Sequence, residues 1–102
     1  MKTVQLDKDA EAEFIDAVAW YEAQEEGVGR RFFVAITAAI DSLPRRRLEP
    51  LTGFKDRGAK YVYVSKPWPY RLFVVERGDL IHVIAVAHHG RAPGYWLERL
   101  PR

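Results

Sequence analysis

The stretch that decides the fold is Tyr70-Arg71-Leu72-Phe73-Val74-Val75-Glu76-Arg77-Gly78-Asp79-Leu80-Ile81-His82-Val83-Ile84-Ala85-Val86-Ala87-His88. Two apolar runs flank the pair Gly78-Asp79. A two-residue turn between β-branched and aromatic runs is a hairpin signal, and glycine supplies the positive φ that such a turn needs. The pattern predicts strands over 70–77 and 80–88. Upstream, Lys60 to Ser65 alternates aromatic and valine residues and reads as another strand, joined to the hairpin through Lys66-Pro67-Trp68-Pro69. Between Arg45 and Ala59, Pro50, Gly53 and Gly58 mark a loop.

The first half is helical. Between Ala10 and Ala23, Phe14, Val18 and Tyr21 share a face with Ala10 and Ala17. Asp7 or Asp9 can cap this helix. Gly27 and Gly29 interrupt the pattern. A second helix is predicted from Arg30 to Leu43, with Phe32, Phe33, Ile36, Ala39, Ile40 and Leu43 at helical spacing, and Pro44 ends it. Lys2 to Leu6 is a short alternating strand ahead of both helices. The expected class is α+β: one domain over residues 1–102, in the order β-α-α-β-β-β. About four strands form a small antiparallel-rich sheet, with a two-helix hairpin packed on one face. The other face is expected to stay open and to gather the basic residues of the second half.

Charge divides along the chain. Residues 1–43 carry four Lys/Arg and nine Asp/Glu, while residues 44–102 carry twelve and five, for a net +2. Such a basic half suits an acidic or polyanionic partner, although the halves can also neutralise each other in the fold. With no cysteine, disulfides and thiolate metal sites are excluded. No apolar run approaches the roughly 20 residues needed to span a bilayer, and the N-terminus lacks the apolar stretch of a secretion signal. A cytoplasmic protein with no membrane association is expected.

Three segments resemble the RelE/ParE superfamily of toxins. They are Trp20-Tyr21-Glu22 followed by Gly27-Val28-Gly29 and Phe32; Pro69-Tyr70-Arg71; and Ala85-Val86-Ala87-His88-His89-Gly90-Arg91 running into Pro93-Gly94-Tyr95-Trp96. Within it the chain looks like a ParE-like, plasmid-stabilisation type of toxin. The resemblance implies the toxin half of a type II toxin–antitoxin system, neutralised by a cognate antitoxin that docks a folding segment on the helical hairpin and sheet edge. ParE-like members inhibit DNA gyrase and need no nuclease site. RelE-like members cleave mRNA on the ribosome. A third alternative is a non-toxic member that only binds its antitoxin. Any sequence-specific DNA binding is expected of the antitoxin.

Attack by an RNA 2′-hydroxyl needs a base, cations on the phosphate and an acid. The candidates, should the chain be a nuclease, are Arg71, His88, His89, Arg91 and Tyr95. Arg71 and Arg91 can hold phosphate bidentately. His88 or His89 can move protons near neutral pH, though adjacent strand residues point to opposite faces. Tyr95 can act as acid, base or stacking platform. The clustered lysines of the best-known nucleases have no counterpart here. Phosphate or partner binding is expected at Lys60, Arg71, Arg91 and Trp96, while Tyr95 and Trp96 also read as core caps. His82 and His88 can share a face but lack a third ligand, so neither a metal nor a cofactor is expected.

Overall fold

The structure is a computed structural model and describes residues 2–53 and 57–100. The elements are β1 (Thr3–Leu6), α1 (Lys8–Gln24), α2 (Val28–Ser42), β2 (Glu49–Pro50), β3 (Ala59–Tyr63), β4 (Tyr70–Arg77) and β5 (Leu80–His88). Single 3-10 turns lie at Leu43–Arg45 and Leu97–Arg99. The five strands form one sheet in the order β1-β5-β4-β3-β2.

The predicted hairpin is there. Arg77 faces Leu80, and Gly78 turns the chain with φ +57°. Both strands are buried on two faces, which explains their nearly continuous apolar runs. Two features go beyond the sequence reading. β1 joins the far side of β5 in parallel, Thr3 opposite Leu80 and Leu6 opposite Val83, so the sheet is mixed. A two-residue strand, Glu49–Pro50, pairs with Tyr61 and Lys60 inside the predicted loop. Pro50 has no N–H to offer a ladder, which suits an edge position.

The helices begin and join through side chains. Asp7 caps α1 by accepting from the Asp9 N–H at 2.8 Å. Gly27 and Gly29 donate their N–H groups to the Glu22 carboxylate at 2.9 Å each. An acid from the end of α1 therefore satisfies orphan donors at the start of α2, where negative charge is favoured. Gly29 is required there by space. A Cβ at that position would lie 2.6 Å from the Val18 carbonyl oxygen. Folded back this way, α2 brings Phe32 against Tyr21 at 4.8 Å and Phe33 against Phe14 at 5.5 Å.

One core lies between the helices and the sheet. It holds Ala10, Phe14, Phe32, Ile36, Ala39 and Leu43 against Val62, Tyr70, Leu72, Val74, Ile81, Val83 and Val86. A second core lies on the opposite face, and this corrects the expectation of an open surface. The segment after β5 folds across that face and buries Trp96 and Leu100 against Phe73, Val75, Ile84, Ala85 and Ala87. A bulge helps. Phe73 pairs with Ala85 but Val74 pairs with Val83, so Ile84 is an extra residue and joins Ala85 in the second core.

Candidate functional site

β1 ends at Leu6, opposite Val83, and the rest of the β5 edge must find other partners. Two side chains supply them. The Val86 N–H donates to the Glu13 carboxylate at 3.1 Å, and the Ile84 carbonyl accepts from Arg99 at 3.0 Å. Glu13 and Arg99 also bind each other, at 2.9 and 3.3 Å. The Tyr95 hydroxyl donates to the same carboxylate at 2.6 Å. One acid of α1 thus clasps the C-terminal segment and seals a strand edge.

Arg91 closes the end of this clasp. Its guanidinium lies 3.9 Å from the Tyr95 ring centre and 4.0 Å from the Glu13 carboxylate. Beside it a cleft of about 210 Å³ is lined by Glu13, Asp16, Ala17, Tyr70, Val86, His88 and Arg91. His88 sits edge-on to Tyr70 at 5.3 Å, and its Nδ1 accepts from the Gly90 N–H at 2.8 Å. In the neutral ring that bond leaves the proton on Nε2.

Arg71 occupies the same end of the sheet but the opposite face. It stands beside Phe73, in the second core, with its guanidinium 4.8 Å from that ring centre, 5.2 Å from Tyr61 and 5.8 Å from Tyr63. His89 lies edge-on to Tyr63 at 5.8 Å. The two adjacent histidines therefore serve different faces, as strand geometry dictates.

The five candidates for acid–base chemistry do not converge. His88 and Arg91 line the cleft on the helix side, Arg71 and His89 stand beside Tyr63 on the other face, and Tyr95 borders the second core with its hydroxyl held by Glu13. This separation corrects the picture of one basic face. Burial, and then the hydrogen bond to Glu13, push the Tyr95 hydroxyl far above the ordinary phenol range. A hydroxyl so poised is a poor proton shuttle near neutrality. The remaining binding candidates are also engaged. Lys60 pairs with Glu76 at 2.9 Å, and Lys2 donates to the same carboxylate. Hydrogen bonds from Lys2 and then Lys60 hold Glu76 below the usual carboxylate range. Trp96 is 1% exposed and stacks on Phe73 at 4.7 Å, so its ring fills the core and offers a partner no surface. Among the described residues no group of three or more His, Asp or Glu is placed to hold a metal, and no helix is long and apolar enough to cross a membrane.

Sequence reasoning missed Glu13 and Arg99. The signal for Glu13 was slight: it borders the Ala10–Phe14–Ala17 stripe at helical spacing, where an acid reads as solvated. Nothing local marks Arg99.

A profile of the family described as "ParE toxin of type II toxin-antitoxin system, parDE" matches residues 4–93. No curated protein gives a significant sequence match. Among solved structures, a chain of the chromosomal ParDE TA system from P. aeruginosa superposes with a TM-score of 0.74 at 13% identity, over 86% of this chain and 96% of that one.

Proposed function

Because the chain belongs to the ParE toxins of type II toxin–antitoxin systems, we propose that it arrests growth in the cytoplasm by binding DNA gyrase, without cutting nucleic acid, and that an antitoxin neutralises it. The observation that carries the non-nucleolytic part is the separation of the candidate groups. A 2′-hydroxyl attack needs base, cation and acid within reach of one phosphate. Here the sheet stands between Arg71 and the cleft that Arg91 and His88 line, and the Tyr95 hydroxyl is committed to Glu13. Inhibition by binding needs only a rigid surface. The clasp supports one, since it fixes the C-terminal segment to α1 and to the β5 edge.

Purified protein titrated into a gyrase supercoiling reaction tests the reading. Supercoiling is expected to stop as the protein approaches and passes the enzyme concentration. Undiminished supercoiling at a large molar excess would reject gyrase as the target. The antitoxin part is tested separately, by co-purification with the product of the neighbouring reading frame.

A further inference from the structure

We infer that Arg71, held among Tyr61, Tyr63 and Phe73, is a receptor for a carboxylate on an acidic peptide segment of the neutralising antitoxin. The inference rests on the antitoxin pairing proposed above and names the chemistry of one contact in it.

The starting observation is a contrast among the cations. Lys2 and Lys60 share Glu76, Arg91 and Arg99 share Glu13, and Arg47 reaches Glu49 at 3.7 Å. Arg46 donates to the Tyr63 carbonyl at 3.4 Å. Arg71 differs from these, and its partial burial sets it apart from Lys8, Arg30, Arg31, Lys66 and Arg77, which are exposed and likewise have no partner carboxylate among the described residues. Among the described residues no carboxylate pairs with it and no acceptor takes its N–H groups, although it is half-buried and has three rings within 5.8 Å. A guanidinium in that state has lost part of its hydration and gained only ring contacts. An incoming oxyanion would recover the missing hydrogen bonds. The rings also fix the planar fork before any ligand arrives, which lowers the entropy lost on binding.

The surroundings select the ligand. Tyr63 is 54% exposed and Tyr61 is half-buried, so the guanidinium is flanked by accessible ring surface. Glu49, opposite Tyr61 in register, is occupied by Arg47 and does not fill the cage. A nucleic-acid strand needs a track of cations for successive phosphates. Beyond Arg71 this face instead continues into the apolar cover of Trp96 and Leu100, while Arg46 is already engaged. One fixed fork with aromatic flanks suits a single carboxylate beside an apolar side chain. That is peptide chemistry.

The test uses the full chain and the antitoxin co-expressed from the neighbouring reading frame, with affinity measured by calorimetry at two salt concentrations. Arg71→Gln is expected to weaken antitoxin binding about 10- to 100-fold and to reduce its salt dependence. Arg71→Lys should recover only part of the affinity, because ammonium keeps the charge but lacks the fork. Should Arg71→Gln melt well below the parent, Tyr63→Ala carries the test, since its exposed ring can be removed with less harm to the core. A clear loss of affinity is expected there too. Binding by Arg71→Gln within about twofold of the parent overturns the inference while leaving the antitoxin pairing intact. Arg71-dependent binding of decauridylate, with antitoxin affinity unchanged, overturns it in favour of nucleic acid. Failure of the parent chain to bind the antitoxin at all overturns the pairing itself.

Discussion

Replacing Glu13 with alanine should cost this small domain a large share of its stability. The carboxylate accepts from the Tyr95 hydroxyl, the Arg99 guanidinium and the Val86 N–H, at 2.6, 2.9 and 3.1 Å. Alanine leaves Val86 with an unmet donor on a strand edge, worth about 1–3 kcal/mol. It also strips a carboxylate from Arg99. Breaking a fully buried pair costs about 3–5 kcal/mol. The discount here is for access to water, since the Glu13 and Arg99 side chains remain 15% and 17% exposed, and for the Ile84 carbonyl and Asp9, which Arg99 keeps. Together these give about 2–4 kcal/mol. At about 4–8 °C per kcal/mol for a domain of this size, the melting temperature should fall by about 8–32 °C. Glu13→Gln retains an acceptor but no charge, and should lie between the two. Thermal unfolding followed by circular dichroism gives the shift. Acrylamide quenching should show a more accessible Trp96 in the variant, because the clasp holds the segment that buries it. A shift below about 3 °C in Glu13→Ala, with Trp96 still shielded, would refute the clasp as a stabilising element.

Gly29→Ala should destabilise by about 1–3 kcal/mol, since the new methyl group meets the Val18 backbone at 2.6 Å and α2 must move away; a urea midpoint measures it. A spectrophotometric titration should show Tyr70 and Tyr95 ionising only above the ordinary phenol range, because burial raises both, helped by Tyr21 and Glu13 respectively. Tyr95→Phe should remove part of that delayed signal. Glu76 is held low in the fold, so its contribution to stability is complete above the unfolded carboxylate value and disappears as pH falls through the folded one. Glu76→Gln should therefore flatten the acid limb of the stability curve below about pH 4, and a parallel limb in parent and variant would reject this. Antitoxin at about a hundred times its dissociation constant should add about 2.7 kcal/mol, seen as a higher melting temperature.

Much of the fold was legible because local patterns agreed with it. The β4–β5 hairpin reads from two apolar runs and a turn, and α2 from Phe32, Ile36, Ala39 and Leu43 at one spacing. β1 reads as a strand from Val4 and Leu6, but nothing in four residues tells which neighbour it joins or in which direction. Glu49–Pro50 is too short to carry any period. The covered far face escaped for a different reason. Trp96 and Leu100 close it from a segment without regular periodicity, so their burial is a tertiary fact. The clasp joins Glu13 to Arg99 across 86 residues of chain, a pairing that no local rule can find. What did transfer was strand geometry at His88-His89: adjacent positions had to diverge, and their divergence is part of what separates the candidate groups.

The most direct test of the central claim is the integrity of a defined mRNA in a translating extract given the purified protein. Full-length message with no new 5′ ends is the expected result, since Arg71 lies on the opposite side of the sheet from Arg91 and His88 and the Tyr95 hydroxyl is held by Glu13. Discrete cuts that appear only while ribosomes are translating, and that vanish with Arg71→Ala or Arg91→Ala, would contradict it.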